Sequence, residues 1–96
     1  MPNPPPGYEW DERKAAWNLA THGISFADAN RFDVATALEL EGSNHESKEN
    51  RTTLLGKIGR QVCVFVFTRR AGKIRVISLR RATAKERRLY IEAKGY

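Results

Sequence analysis

The stretch QVCVFVFTRRAGKIRVISLRRATAKERRLY, Gln61–Tyr90, decides the fold. From Gln61 to Thr68 it is apolar on both faces, Val62, Val64 and Val66 alternating with Cys63, Phe65 and Phe67. A strand with no polar face belongs at the centre of a sheet, covered on both sides. Arg69–Gly72 then turns the chain. Lys73–Arg80 forms the next strand, and regular alternation puts Ile74, Val76, Ser78 and Arg80 on one face and Arg75, Ile77 and Leu79 on the other. Thr83-Ala84-Lys85-Glu86 has capping-box spacing, so a helix follows, with Leu89 and Ala93 turned inward and Tyr90 four residues beyond Glu86.

Upstream of this stretch, Gly59-Arg60 supplies a turn and Arg51–Ile58 the preceding strand, with Arg51, Thr53 and Leu55 on one side and Thr52 and Leu54 on the other. Residues 42–50 are polar and include His45 and Glu49, the composition of a mobile loop. Val34–Leu40 reads as a strand, although Ala35 and Leu38 also suit a helical turn. Ser25 caps a short second helix anchored by Phe26, Ala29 and Phe32, and Asp28 sits near its positive end. Asp11 caps a first helix that runs from Glu12 to His22 and stops at Gly23, with Ala15, Leu19 and His22 on one face. Tyr8–Trp10 fits a short edge strand. Pro2 and Pro4–Pro6 make residues 1–7 a flexible leader to a single domain at 8–96. Helices before and after an antiparallel meander give an α+β domain with two N-terminal helices and one C-terminal helix.

Ninety-six residues suffice for one core. A net charge of +6 and a pI near 9.9 suit an anionic partner, nucleic acid ahead of an acidic protein, against the plain alternative of a basic surface that serves solubility. Cys63 is the sole cysteine and lies in the apolar strand, which excludes an intramolecular disulfide and fits a reducing compartment as a structural thiol. The N-terminus has neither a basic n-region nor an apolar h-region, and no stretch is long enough for a membrane span, so a cytoplasmic location is expected. There is no paired-histidine motif, no tight carboxylate cluster and no glycine-rich nucleotide loop; a metal or other cofactor is not expected.

Two ordered groups of residues then point further. The first is Trp10-Asp11, Lys14, Asn18, His22-Gly23-Ile24-Ser25-Phe26 and Ala29; the second is Glu49, Arg51, Gly56, Ile74-Arg75-Val76-Ile77-Ser78, Arg80, Ala82, Glu86, Arg87 and Tyr90. Together they resemble the BrnT family of bacterial type II toxins, small ribonucleases with a RelE-like fold, over roughly Trp10–Tyr90. Thr21 stands where that family usually has lysine. The resemblance implies RNA cleavage that inhibits translation and growth, and the missing metal-binding motifs make metal-independent cleavage the expectation. It also implies neutralisation by a BrnA-like antitoxin with a ribbon-helix-helix domain, and repression of operator DNA by the complex. Whether the assembly is a dimer or a heterotetramer stays open. A degenerate toxin that acts as a non-enzymatic binding module with an antitoxin is the alternative.

Cleaving RNA without metal needs a base for the 2′-hydroxyl, cations for the charged transition state and an acid for the leaving oxygen. Arginine suits the second task, because its guanidinium stays charged and presents a planar donor fork to phosphate. Arg51 and Arg80 occupy matching family positions and are the expected phosphate stabilisers, provided their strands are neighbours. Arg69, Arg75, Arg81 and Lys14 are expected to contact RNA more generally. The base and acid stay open among His22, Glu49, Glu86 and Tyr90, with His45 a further candidate from its loop. Each has a structural competitor: helix-end contacts for His22, pairing with Arg51 for Glu49, the capping box for Glu86, and ring packing on the sheet for Tyr90.

Overall fold

The computed structural model describes residues 7–40 and 51–95. Most of the leader, and the 42–50 loop with His45 and Glu49, lie outside them. Along the chain run β1 (Tyr8–Glu9), α1 (Glu12–His22), a 3₁₀ helix (Phe26–Arg31), β2 (Leu38–Glu39), β3 (Thr52–Ile58), β4 (Gln61–Arg70), β5 (Lys73–Arg81) and α2 (Ala84–Lys94). The domain is α+β, its sheet ordered β1-β5-β4-β3-β2.

The sheet is mixed rather than antiparallel throughout. β2 to β5 pair antiparallel, but β1 lies parallel to β5, with Tyr8 opposite Ile74 and Glu9 opposite Arg75. A two-residue strand has too little pattern to reveal its direction. The second N-terminal helix is 3₁₀, and its buried anchors explain why: Phe26, Ala29 and Phe32 recur every third residue, and three residues per turn puts all of them on one side. Val34 does not enter a strand. It is exposed, the Ala37 amide donates to its carbonyl, and Thr36 Oγ1 donates to Asp33 Oδ2 at 2.9 Å, a local bond that competes with sheet pairing and shortens β2 to two residues.

β4 divides the core as its alternation requires. Cys63, Phe65 and Phe67 join Trp10, Ala15, Ile24, Phe26, Ala29, Phe32, Leu54, Val76 and Leu79 beneath α1 and the 3₁₀ helix, whereas Val62 and Val64 join Leu55, Ala82 and Tyr90 beneath α2. Val76 and Leu79 reach the same layer because β5 is irregular. Phe67 stands opposite Val76 and Val66 opposite Ser78, which leaves Ile77 as an extra residue. The bulge overturns the expected faces: Ile74, Val76 and Leu79 share the α1 side, and Arg75, Ser78 and Arg80 share the other.

The helices dock differently from expectation. In α1 the buried positions are Ala15 and Asn18, and Leu19 is exposed. In α2 only Tyr90 is buried, while Leu89 and Ala93 face outward. Glu86 is tied to β5 and Tyr90 is one helical step of four beyond it, so that anchor sets the helix rotation.

Gly56 in β3 shows how closely the α1-side layer is packed. A Cβ there would stand 2.6 Å from Phe32 Cζ and 3.2 Å from Ala37 Cβ. Phe32 cannot easily withdraw, being buried with its ring centroid 5.2 Å from that of Phe65. Gly56→Ala is expected to cost about 1–3 kcal/mol in urea unfolding, and a variant as stable as wild type would show that the Phe32 ring is free to move.

Candidate functional site

The C-terminal half of β5 lies between the end of α1 and the start of α2. β1 covers only Ile74 and Arg75 on that side of β5, and beyond them Asn18 of α1 takes the place of a strand. Its Nδ2 donates to the Leu79 carbonyl at 2.7 Å and to the Ile24 carbonyl at 3.0 Å, while its Oδ1 accepts from the Leu79 amide at 3.3 Å. One buried carboxamide thus satisfies both backbone groups of Leu79 and fixes α1 against the edge.

Arg80 and Arg81 leave this edge on opposite faces, opposite Val64 and Cys63 respectively. On the α2 side, Arg80 Nη1 and Nη2 bond Glu86 Oε1 and Oε2 at 2.8 and 2.9 Å, a two-point fork. Glu86 also completes its capping box, Oε1 accepting from the Thr83 amide at 2.8 Å as Thr83 Oγ1 accepts from the Glu86 amide. The Arg80 bond pulls the Glu86 carboxyl down to about 2, helped by the Thr83 amide, and the same pairing raises the Arg80 guanidinium. Glu86 is therefore ionised at any physiological pH, which suits it to orienting Arg80 and not to proton transfer.

That pairing has a pH signature. The folded-state pKa lies below the ordinary 4.5, so the stabilisation is complete above 4.5 and is lost as pH falls toward 2. Discounted for solvent screening, it is about 1–2 kcal/mol. Glu86→Gln keeps the cap and removes the charge. Urea unfolding at pH 7 should separate it from wild type by that amount, and the gap should shrink on acidification below 4.5; a gap independent of pH would refute the assignment.

On the α1 side, Arg81 Nη1 donates to the His22 carbonyl at 3.3 Å, and the His22 ring stands edge-on to Trp17, centroids 5.6 Å apart. Trp17 is 62% exposed, an aromatic surface that the sequence reading passed over, although its place two residues from inward Ala15 and one from inward Asn18 turns it outward.

The candidate residues are thus divided by the sheet. Arg75 shares the Arg80 face and pairs with Glu9 at 3.1 Å. Arg51 directly precedes β3, so alternation carries it to the face of Thr53 and Arg80. It does not neighbour Arg80, because β4 lies between and Thr52 stands opposite Phe67, three residues from Val64. The backbones are separated by roughly 13 Å along the strands and roughly 10 Å across them, so any meeting at one phosphate would rest on the reach of the two side chains. Tyr90 is fully buried, its hydroxyl donating to the Thr36 carbonyl at 3.4 Å and Lys57 Nζ 6.0 Å from its ring centroid. Arg69 lies on the α1 side with its guanidinium 5.7 Å from the Phe67 ring centroid, and Lys14 is exposed on α1. His22 and Arg81 are across the sheet from Arg75, Arg80, Glu86 and Tyr90.

No helix among the described residues is long and apolar enough to cross a membrane. A family model described as "Ribonuclease toxin, BrnT, of type II toxin-antitoxin system" matches residues 10–86. No curated protein matches the chain.

Proposed function

This chain belongs to the BrnT family of ribonuclease toxins of type II toxin-antitoxin systems, and on that premise we propose that it cleaves RNA internally without a metal ion at the free end of β5. The observation that carries the reading is the Arg80–Glu86 fork. It holds a permanently charged guanidinium in one orientation, and a donor aligned before charge develops stabilises a phosphorane-like transition state without reorganisation. Glu86 is a positioning residue in this scheme. His22 lies across the sheet from Arg80, so it meets RNA that wraps the strand edge rather than the phosphate held at Arg80. Arg51 and Arg75 extend the cationic track on the Arg80 face; Arg69, Arg81 and Lys14 meet RNA from the α1 side. Tyr90 supports α2 through packing. Glu49 enters the proposal only by its sequence place beside Arg51.

The consequences proposed for the cell are inhibition of translation and growth, relieved by a BrnA-like ribbon-helix-helix antitoxin whose complex with the toxin binds operator DNA. The RelE-like arrangement that the family implies is the fold we assign to the sheet and its helices. Incubation of purified protein with RNA in excess chelator tests the chemistry: internal cleavage is expected, and no cleavage under any condition would overturn it. One observation favours a rival binding module, namely that Arg80 already spends its terminal nitrogens on Glu86 and the Arg81 carbonyl. Antitoxin and operator binding by a protein that neither cuts RNA nor arrests growth would establish that rival.

A further inference from the structure

Beneath the loop from α1 to the 3₁₀ helix lies a cavity of about 200 Å³, walled by Ile24, Ile58 and Cys63 and rimmed by Asp28, Gln61 and Arg81. It lies across β5 from the Arg80–Glu86 fork and takes no part in the cleavage scheme. Resting on the RNA-cleaving reading, we propose that this cavity is a base-recognition pocket that takes guanine.

Size and polarity both bear on the occupant. The volume falls below the ~300–1,000 Å³ of sites for drug-sized ligands and suits one small planar group with apolar faces. A phosphate is disfavoured, because the Asp28 carboxylate faces the same space as the Arg81 guanidinium. Both charges act on the Cys63 thiol at the wall, in opposite senses, while burial raises it. Asp28 also ion-pairs with Arg31 at 3.6 Å through Oδ1, and a ligand that meets both Asp28 and Arg81 must present acceptors at one end and donors at the other. Guanine does so, with O6 and N7 as acceptors and N2 as donor, whereas adenine offers an N6 donor where Arg81 needs an acceptor. Arginine is the common bidentate partner of O6 and N7, and ionised aspartate is acceptor-only.

Arg81 is built for such a contact. One nitrogen is anchored on the His22 carbonyl at 3.3 Å. Among the described residues no carboxylate pairs with it within salt-bridge distance. Unstacked bases of single-stranded RNA are read on their edges in this manner. Because Arg80 is the next residue on the opposite face, a base seated at Arg81 would keep its strand at the β5 edge where cleavage is proposed.

The test titrates GMP, IMP, AMP and UMP into the full chain, with the Ile24 and Ile58 methyl NMR signals reporting occupancy. The phosphate is common to all four, so differences report the base. GMP is expected to bind roughly 5- to 100-fold more tightly than AMP or UMP. Asp28→Asn should erase the preference for GMP over IMP, which lacks the N2 amine. Arg81→Met should weaken GMP and IMP alike, amide dispersion confirming the fold of each variant. Equal affinities for the four nucleotides, or an unchanged GMP to IMP ratio in Asp28→Asn, would overturn the pocket. Mapping cuts on an RNA that contains every dinucleotide separates the two readings. Cleavage without guanine preference sinks the pocket and spares the nuclease; GMP selectivity in a protein that never cuts RNA sinks the nuclease reading and keeps the pocket.

Discussion

Replacing Asn18 by leucine is expected to lower the melting temperature by roughly 12–24 °C, the largest stability loss of any single change considered. The side chain is 1% exposed, and leucine matches its branching but carries bulkier methyls where atoms now sit 2.7–3.0 Å from carbonyl oxygens, so overpacking adds to the loss of the hydrogen bonds. Three are lost: two donated to the Leu79 and Ile24 carbonyls and one accepted from the Leu79 amide. The backbone partners stay buried without replacement, at about 1–3 kcal/mol each and about 3 kcal/mol in sum after local relaxation. In a domain of this size each kcal/mol moves the midpoint by about 4–8 °C. Against a typical total of about 5–15 kcal/mol, the variant keeps a fold but little margin. Asn18→Asp provides the second arm: it retains an acceptor for the Leu79 amide, loses both donated bonds and buries a charge, so it should be no better than leucine. Circular dichroism melts decide the matter, and a leucine variant within a few degrees of wild type would show that solvent replaces the carboxamide at the strand edge.

What the sequence disclosed of this architecture depended on how long a pattern each element carries. β4 repeats its alternation from Val62 to Phe67, and its central place follows directly. Asp11, Ser25 and Thr83 cap their helices as read, because capping is a local matter of side chain and nearby amides. The faces of β5 could not be read by parity. A bulge at Ile77 is a compromise among Val76, Leu79 and the β4 residues opposite them, a tertiary demand that no window of β5 contains. Asn18 was legible as a family position, but its partner Leu79 is 61 residues away. Among the candidate site residues the same distinction holds. The Arg80–Glu86 pair follows from adjacency to a capped helix, whereas the division of Arg81 and His22 from Arg80 depends on which side of the sheet each occupies. Asp28 and Gln61 had no signal of their own, since only the folded sheet brings them to one cavity with Arg81.

Arg80→Ala is expected to reduce RNA cleavage by roughly 10²–10³-fold, the usual loss when one aligned donor to a developing oxyanion is removed. Arg80→Lys should recover only part of the activity, because a single ammonium retains the charge but cannot make the two-point contact with Glu86. The decisive comparison is with Glu86→Gln. If Glu86 acts through Arg80, the glutamine variant loses orientation and with it some activity, while the double variant Arg80→Ala with Glu86→Gln is no worse than Arg80→Ala alone. Its pH–rate profile should also match that of wild type from pH 5 upward, since a carboxyl held at about 2 does not titrate there. A general base at Glu86 would give the opposite pattern, with an acidic limb that disappears in Glu86→Gln and a further loss in the double variant. Single-turnover cleavage of a defined RNA, with folding checked by circular dichroism, distinguishes the two. Full activity in Arg80→Ala would remove the fork from the chemistry and leave the Arg81 and His22 side of β5 as the place to seek it.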